Sequence, residues 1–583
     1  MKRTKSLAAV ACVALISTLA ACGGDGGGGG GSTPSDQKFE EAGAGFAKVA
    51  DAEGPAPEIE GAATGGDVTV YVPLDEGPED LDPTNGWSVL GNSIQQALTH
   101  RSLTQYRKNE ESGEMELVPD LATDLGTPND DFTEWTFTVR DDVKWETGDP
   151  ITPEEIKYGI ERSFDSETFT SGPGQVYSVE NIDCGDGYAG PADGDCSGIT
   201  VEGQDITIKM VKPFPDMDFW GSFMAIGPIP LENSDFPAYG RKPLSNGPYK
   251  ISEFRPTESL TLVKNDQWDP ATDPARHQYV DSWTFKFNQD QQKTDQILLS
   301  DSELSSTAIS YRLGASNATD LKSKLGDNYI QQTGQCVSYR APDYTKITDI
   351  NVRKAIAWAY DFDNVTLAGG NIPGVTRIPA STLMPPGMSG RKEYFPDGEQ
   401  FTYQPEKAKQ LLEEAGQTGM TLTYVYDDSD ATLKAAAEAE KKGYEAAGFK
   451  VEMIPYQEDY YALYDDKDSD INKRLNLRNV NWCSDWPSAS TMIPPLVQAG
   501  QPYNTAFFDE PDVQKAIDDI ATLPAEEQPT AWGDLDEMIG TEYFPLIPLA
   551  YRNELYGAGA SIGNFNGDGA MSSINFKDLF VTQ

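Results

Sequence analysis

The sequence predicts an α/β protein with more than one domain, and three features of the chain support this. Residues 421–426, 430–447 and 449–454 have the patterns of a strand, a helix and a strand, which is the spacing of a βαβ unit. Residues 135–139 alternate large and small side chains, as a half-buried strand does, and residues 152–164 open with a capping box and continue as an amphipathic helix. The third feature is length, because 583 residues suffice for two or three domains.

The N-terminus has the pattern of an export signal followed by a lipid anchor. A basic start precedes an apolar stretch, residues 7–20, which is shorter than the roughly 20 residues that a membrane-spanning helix needs. The stretch ends in small residues directly before Cys22, as a lipoprotein signal does. We therefore expect residues 1–21 to be a signal peptide and Cys22 to be lipidated. The alternative is a plain secretory signal followed by an unrelated cysteine.

Residues 22–65 are rich in Gly, Ala, Pro and acidic residues and contain a run of glycines up to Gly31. Such a composition offers few side chains to bury, so we expect a flexible tether between the anchor and the folded body. The protein is accordingly expected to be exported and lipid-anchored at the outer face of the cell membrane, or to lie in a periplasm.

The composition and the missing motifs favour binding over catalysis. The formal net charge of −48 disfavours nucleic acid and anionic lipid as partner surfaces. The two histidines, His100 and His277, lie near no cysteine in the sequence and far from each other, and no nucleophile elbow, phosphate loop or dinucleotide motif occurs. We expect no enzymatic activity, no cofactor, no metal site and a monomeric protein.

Four of the six cysteines lie in the body of the chain: Cys184, Cys196, Cys336 and Cys483. In an exported chain this even number implies disulfides, and three pairings are possible. The short Gly/Asp-rich loop between Cys184 and Cys196 favours pairing those two, which leaves Cys336 with Cys483. That loop could also hold calcium through its carboxylates, but it lacks the spaced acids of an EF-hand, and a solvated turn is the simpler interpretation.

Six short motifs occur in order between about Gly66 and the C-terminus. They are LDP at 81–83, VRDDVKW at 139–145 leading into TPEEI at 152–156, NGPYK at 246–250, NVRKAI at 351–356 followed by AYD at 359–361, MPP at 384–386, and YQPEKAKQLL at 403–412. Each motif is weak by itself. Their order over nearly the whole chain resembles the extracellular solute-binding proteins of ABC importers, a family that includes oligopeptide- and dipeptide-binding lipoproteins.

The resemblance implies a fold of two α/β lobes joined by a two-stranded hinge, as in periplasmic binding proteins, with an extra subdomain inserted in lobe I. The ligand would be enclosed between lobes that close on it. The corresponding division is lobe I at residues 66–97, 281–335 and 546–583, the inserted strand-rich subdomain at 98–280, and lobe II at 336–545.

Asp485 is the residue that the resemblance marks most sharply. Residues 482–486 (WCSDW) are similar to a family segment whose aspartate pairs with the α-ammonium group of a bound peptide. An ammonium group that enters a closed cleft loses water, and a buried carboxylate offsets that cost. The alternative is a turn-forming aspartate before Pro487. The cysteine of the same segment and its family partner correspond to Cys483 and Cys336, so the resemblance also implies this disulfide.

Three aromatic residues are further candidates for the ligand site. Tyr339 matches a family aromatic that lies along the peptide, and Trp482 and Trp486 are candidate walls of the cleft. The alternative for each is packing in a core.

One short segment is expected to contact the ligand through its backbone. Trp87, Ser88 and Val89 match a lobe I stretch that adds a strand to the bound peptide, a β-augmentation. Trp87 stands where oligopeptide binders have a glutamate, which removes a charge from lobe I.

The ligand's carboxylate has several candidate partners. Arg474 and Arg478 precede the Asp485 segment, and Arg377 is an alternative. Family members use arginines for this purpose, at positions that vary with peptide length.

The predicted function is that of a substrate-binding lipoprotein that captures oligopeptides or dipeptides and delivers them to an ABC permease in the membrane. One alternative keeps the fold and changes the solute to a sugar oligomer, a nickel complex or an opine. The other is a sensory lipoprotein that binds signalling peptides.

Overall fold

The structure is a computed structural model that describes residues 47–73, 77–170 and 172–582. The predicted signal peptide and Cys22 lie outside the described residues. In this part of the chain the helices are α1 (Val89–Leu98), α2 (Pro153–Arg162), α3 (Gly174–Asn181), α4 (Met217–Trp220), α5 (Gln291–Leu299), α6 (Glu303–Ser306), α7 (Ala318–Leu325), α8 (Ile350–Ala359), α9 (Phe362–Ala368), α10 (Pro405–Glu414), α11 (Ala431–Ala446), α12 (Tyr460–Asp465), α13 (Ile493–Val497), α14 (Pro511–Ile520) and α15 (Gln528–Met538).

The strands alternate with these helices along the chain. They are β1 (Ala47–Lys48), β2 (Asp67–Pro73), β3 (Thr104–Lys108), β4 (Met115–Pro119), β5 (Thr127–Pro128), β6 (Glu134–Thr138), β7 (Ile199–Glu202), β8 (Asp205–Lys209), β9 (Tyr249–Arg255), β10 (Ser259–Lys264), β11 (Ser282–Gln289), β12 (Ala308–Ser310), β13 (Tyr329–Pro342), β14 (Arg377–Pro379), β15 (Thr421–Tyr426), β16 (Lys450–Pro455), β17 (Leu477–Cys483), β18 (Ile547–Ala558), β19 (Ile562–Gly563), β20 (Gly567–Asp568), β21 (Ser573–Ile574) and β22 (Phe580–Val581).

A nine-stranded sheet runs through both lobes. Its order is β17-β13-β18-β12-β2-β11-β10-β9, with β14 attached to β18. The long strands β13 and β18 pair antiparallel with each other and connect the lobes, because β13 also pairs with β17 in lobe II and β18 also pairs with β12 in lobe I. The predicted boundary between residues 335 and 336 therefore falls inside a strand that both lobes share.

Local patterns in the sequence account for several elements. Thr152 and Glu155 form the predicted capping box at the start of α2. The predicted βαβ unit is present, because β15 and β16 pair in parallel and α11 connects them. The predicted hairpin of residues 249–251 and 260–263 is also present as β9 and β10.

The inserted subdomain is smaller than predicted. Two separate sheets, β1-β4-β3 and β5-β6-β8-β7, lie over a core of residues that runs from Leu103 to Ile226. The predicted subdomain extended to residue 280, but β9 and β10 extend the main sheet through β11 and pack with lobe I. A hairpin pattern in the sequence does not say which sheet the hairpin joins, and this is why the boundary was misplaced.

Residues 47–65 lie on the body, although the sequence predicted a tether as far as residue 65. Strand β1 pairs in parallel with β4, and the backbone N–H of Ala56 donates to the carbonyl of Asp273 (2.9 Å). Ala52 is buried against Val118 and Ala275. Small side chains offer little apolar area, but they fit a narrow groove, and the exposed sheet edge supplies hydrogen bonds.

A fully buried charge network joins the inserted subdomain to the loop before β11. Asp120 accepts from Arg101 Nε (2.6 Å) and Arg276 Nη2 (2.8 Å), and Arg276 Nη1 also pairs with Asp273 (3.2 Å). Arg101 donates in addition to the carbonyl of Thr272 (2.7 Å). The network holds two cations and two carboxylates away from water, so each charge depends on its partners.

Replacing Asp120 by alanine should therefore leave two buried arginines with one carboxylate between them. We expect Asp120→Ala to lower the free energy of unfolding by about 3–5 kcal/mol, measured by guanidinium denaturation. The matched control is Glu253→Ala, which breaks an exposed pair with Arg255 and should cost at most about 1 kcal/mol. Equal effects of the two substitutions would contradict a structural role for the network.

Candidate functional site

A cavity of about 260 Å³ lies where lobe II meets the inserted subdomain and the start of α1. Trp87 lines it from the loop before α1, and Tyr177 lines it from α3 of the inserted subdomain. Lobe II contributes residues that follow β17, including Asp485 and Trp486. The wall therefore combines three parts of the chain that are far apart in sequence.

Asp485 is a partly buried carboxylate in the wall of this cavity. It accepts a hydrogen bond from the Tyr177 hydroxyl, and the Trp87 indole N–H faces it closely enough to favour its charged form. Burial raises the pKa of Asp485 to about 6, although Tyr177 and Trp87 act in the opposite direction because they favour the charged form.

The charge of Asp485 is not balanced by a neighbouring cation. In the part of the chain that the structure describes, no lysine, arginine or histidine forms an ion pair with it. The cationic residue among those lining the cavity is Lys212, which is exposed. A partly buried carboxylate without a cationic neighbour can accept a positively charged group, which offsets the cost of its burial.

Aromatic rings form the rest of the wall near Asp485. Trp486 is 2% exposed and lies 4.6 Å from Tyr177, measured between ring centroids. Trp482 lies 4.6 Å from Tyr503 and donates its indole N–H to the carbonyl of Thr491 (2.6 Å). These rings exclude water from one side of the carboxylate and offer apolar area to a ligand.

Asp216 joins the inserted subdomain to lobe II, and the sequence analysis did not identify it. The carboxylate is 5% exposed and accepts from Trp486 Nε1 (3.1 Å) and from the Ser490 hydroxyl. Both donors belong to lobe II, so these contacts hold the two parts together across the cavity. No local pattern marks such a residue, because its partners lie 270 and 274 positions away.

Two tyrosine hydroxyls occupy the outer edge of β17, which is an edge strand of the main sheet. Tyr461 donates to the carbonyl of Asn481 and accepts from its N–H (3.4 Å). In the same way, the Tyr464 hydroxyl donates to the carbonyl of Asn479 (3.4 Å) and accepts from its backbone N–H (3.3 Å). The hydroxyls of α12 thus satisfy backbone groups that an added strand would otherwise use.

Both disulfides predicted from loop length are present, Cys184–Cys196 and Cys336–Cys483. The second also confirms the pairing that the resemblance implied. It connects β13 to the last residue of β17, two positions before Asp485. The covalent link therefore fixes the end of the strand from which Asp485 projects.

Comparison with known proteins places the chain in a family. Residues 116–504 match the sequence profile of bacterial extracellular solute-binding proteins, family 5 Middle. The chain belongs to this family. It is 22% identical to the oligopeptide-binding protein of Bacillus subtilis over 84% of this chain and 89% of that protein. It is also 22% identical to the periplasmic oligopeptide-binding protein of Salmonella typhimurium, over 78% of this chain and 83% of the other.

A solved structure of "Clavulanic acid biosynthesis oligopeptide binding protein 2" superposes with a TM-score of 0.79 at 21% identity, covering 92% of this chain and 99% of that one. The predicted two-lobed periplasmic-binding-protein fold is confirmed. Members of family 5 bind solutes for transport and are not enzymes, so the prediction of a binding protein is confirmed as well.

Three of the predicted contact residues do not line the cavity that contains Asp485. Tyr339 is fully buried in the core of lobe II beside Val337. Ser88 caps α1 by accepting from the N–H of Gly91 (3.0 Å), and Val89 is the first residue of that helix. Val89 is therefore helical, whereas Ser88 keeps an extended backbone, and the strand that residues 87–89 would add to a bound peptide stays a prediction.

The predicted carboxylate partners are also away from this cavity. Arg478 is a buried residue of β17 inside lobe II, where it donates to Asn472 (2.9 Å) and pairs with Asp343 (3.3 Å). Arg474 pairs with Glu452 at the surface. Arg377 lines a different cavity. None of these three arginines lines the cavity that contains Asp485, and the partner of the ligand's carboxylate stays a prediction.

Among the described residues, no three His, Cys, Asp or Glu side chains lie close enough to hold a metal ion. In the same part of the chain, no helix combines the length and the apolar character that crossing a bilayer requires.

Removing the Asp216 carboxylate should favour separation of lobe II from the inserted subdomain. Because a hydrogen bond to a charged group contributes about 1.5–3 kcal/mol, we expect Asp216→Ala to shift the ligand-free protein toward an open arrangement by about tenfold or more. Small-angle X-ray scattering should show a larger radius of gyration. Asp518→Ala, at the exposed rim of the same cavity, is the control and should leave the radius unchanged. An unchanged radius in Asp216→Ala would contradict the bridging role.

Proposed function

We propose that this protein captures oligopeptides or dipeptides by their N-terminal ammonium group and delivers them to the permease of an ABC importer. The observation that carries the proposal is Asp485, a carboxylate in an aromatic cavity without a cationic partner among the described residues. Membership in family 5 and the likeness to oligopeptide-binding proteins support a peptide as the ligand.

The ammonium group of a peptide suits the electrostatics of this position. Burial raises the free energy of the ionised Asp485 carboxylate, and a ligand cation beside it lowers that free energy again. Binding of the cation and ionisation of Asp485 therefore favour each other. Tyr177 keeps the carboxylate oriented through its hydrogen bond, and the Trp87 indole N–H favours the charged form. Trp87 thus favours the charged carboxylate from the position where oligopeptide binders carry a glutamate.

The ligand's backbone would meet the edge of β17 near Cys483. A peptide that continued along this edge in the direction of Asn481 would replace the hydroxyl of Tyr461 with its own backbone groups. The cavity measures about 260 Å³, somewhat less than the roughly 300–1,000 Å³ of typical ligand sites, so it suits short peptides, which need not displace that hydroxyl.

The alternative solutes have weaker support. Neither His100 nor His277 lines the cavity, which disfavours a nickel complex bound through histidine. The tryptophans could stack on sugar rings, but an unbalanced buried carboxylate favours an amine over a neutral sugar. A sensory role would use the same cavity and the same ligand class, and a neighbouring permease and ATPase gene pair would favour import over it.

The location of the protein follows from the proposed role. Lipidation at Cys22 would hold it at the outer face of the membrane, where it would meet the permease as a monomer. Mass spectrometry of the mature protein tests the anchor directly, by the mass of a diacylglycerol group on Cys22.

Asp485→Asn should weaken the binding of peptides that have a free N-terminus. Removing one partner of a buried charge pair costs about 3–5 kcal/mol, so the loss should be at least about a hundredfold by isothermal titration calorimetry. Asp518→Asn, at the rim of the same cavity, is the matched control and should bind normally. If N-acetylated peptides bind the wild-type protein as tightly as free ones do, the role of Asp485 is wrong.

Peptide affinity should also depend on pH through Asp485. Its pKa of about 6 in the ligand-free protein lies above the ordinary aspartate value, so lowering the pH from 7 to 5 protonates it and removes the charge that pairs with the ammonium group. We expect the dissociation constant to rise about tenfold over this range. Asp485→Asn should show a flat profile, and a flat profile in the wild-type protein would contradict the assignment.

A further inference from the structure

Residues 49–66, here called the strap, join β1 to β2 and are attached to the body at both ends. At the start of the strap, the N–H of Val49 donates to the carbonyl of Leu117 in β4 of the inserted subdomain (2.9 Å). At its end, the N–H of Gly65 donates to the carbonyl of Tyr279 in the loop before β11 (2.8 Å). The strap therefore runs from the inserted subdomain to lobe I, and none of its residues lines the Asp485 cavity.

His277, in the loop before β11, contacts the middle of the strap. Its Nε2 lies 3.0 Å from the carbonyl oxygen of Pro57, and its Nδ1 lies 3.0 Å from a carboxylate oxygen of Asp578. The imidazole stacks on the ring of Tyr279, with 4.7 Å between the ring centroids and 11° between the planes. The side chain of His277 is 12% exposed. The ring is thus fixed between one oxygen of the strap and one oxygen of the C-terminal segment.

Both of these oxygen atoms are hydrogen-bond acceptors. The carbonyl of Pro57 can only accept, and so can an ionised carboxylate, which Asp578 presents to the ring while its other oxygen accepts from Asn575 (2.6 Å). A neutral imidazole has one N–H group, and the imidazolium ion has two. The geometry therefore matches a doubly protonated His277, because a neutral ring would turn a lone pair toward one of the two oxygens.

Anionic groups face His277 from several parts of the chain. Asp578 comes from the C-terminal segment and Asp273 from the same loop as His277. Glu58 of the strap lies near the stacked ring of Tyr279, and Glu110, which follows β3, lines a small cavity together with His277.

Most of the cations around the ring are paired with other carboxylates. Arg107 pairs with Glu116 (2.7 Å), Arg276 with Asp120 (2.8 Å) and Lys577 with Asp568 (2.7 Å), whereas Lys108 lines the small cavity and is partly exposed. Burial, the largest influence, lowers the pKa of His277, but the hydrogen bond and charge of Asp578, the Pro57 carbonyl and the charge of Asp273 together outweigh it. The pKa of His277 therefore lies above its ordinary value.

We propose that His277 makes the attachment of the strap pH-dependent: residues 56–65 are held to the body while both ring nitrogens carry a proton, and they open when one proton is lost to water. The proton that remains stays on Nδ1, because a carboxylate is a stronger acceptor than a carbonyl. The bare Nε2 then repels the Pro57 carbonyl. The pairing of β1 with β4 does not involve His277, so the start of the strap stays attached.

The direction of the pH dependence follows from the raised pKa. A histidine whose pKa is raised by folding stabilises the folded arrangement fully below its ordinary pKa of about 6.5. This stabilisation is lost as the pH rises through the pKa of the folded protein. The strap is therefore closed in acid and opens toward alkaline pH.

Hydrogen–deuterium exchange of the full chain, measured by mass spectrometry from about pH 5 to 9 and corrected for the intrinsic rate at each pH, tests this behaviour. The N–H groups of Ala56, Ala62 and Gly65 donate to carbonyls in the closed strap. We expect them to exchange at least about tenfold faster above the pKa of His277 than below it, which is the factor that one hydrogen bond to a charged group supplies. Amides of β13 and β18 are the internal control and should not change.

Two variants separate titration of His277 from a general loosening of the protein. His277→Gln cannot become a cation, so its strap should exchange fast at every pH. Asp578→Asn removes the anion that favours the imidazolium and should move the transition to lower pH. Circular dichroism and the unfolding temperature establish that both variants are folded.

Nuclear magnetic resonance of protein labelled with 15N-histidine reads the same proton directly. The sequence has two histidines, and burial first, and then the charge of Arg276, lowers the pKa of His100 to about 3, so the ring that titrates in this range is His277. We expect both of its nitrogens to be protonated at about pH 5, with a midpoint above about 6.5. A lower midpoint, strap exchange that does not change with pH, or the same pH profile in His277→Gln overturns the proposal.

Discussion

The antiparallel pairing of β13 with β18 is the constraint on which the two-lobed structure depends. These strands continue from one lobe into the other, so a single sheet supplies both lobes and the connection between them. The Cys336–Cys483 bond attaches β17 to this pair, and Asp485 follows β17 directly. β14 attaches to the other side of β18 and brings Arg377 opposite Arg552. The cavity with Asp485 and the separate cavity that Arg377 lines are therefore both attached to these two strands. A change in the pairing of β13 with β18 would alter the position of residues in each cavity.

The Asp485 cavity presents a carboxylate whose ionised form is favoured by neutral donors. The protein has partly dehydrated this charge without pairing it to a cation among the described residues, which costs free energy in the folded state. A ligand of the opposite charge offsets that cost, and a neutral ligand of the same shape does not. Such a site therefore discriminates between ligands by their charge as well as by their shape.

The sequence predicted the parts of the molecule that short patterns encode. Capping, strand alternation and the order of motifs identified the α/β lobes, and the resemblance at residues 482–486 placed Asp485 and two tryptophans in one segment, which the structure brings to the cavity. It could not predict Asp216 or Tyr461, since their partners are distant in sequence or are backbone atoms of another element. Tyr339 was assigned to the ligand site by the resemblance, and the structure places it in the core of lobe II, which was the alternative; a match of residue type does not say on which face of its strand the side chain lies.

The contact of residues 47–65 with the inserted subdomain limits the distance between the folded body and the lipid proposed at Cys22. Because β1 pairs with β4, the residues from Ala47 onward belong to the body. At most 25 residue steps then separate Cys22 from the body, where 44 would separate them if the body began at Gly66. Chains of these lengths can reach at most about 90 Å and about 155 Å. A protein anchored in this way would have to meet its permease within the shorter of the two distances.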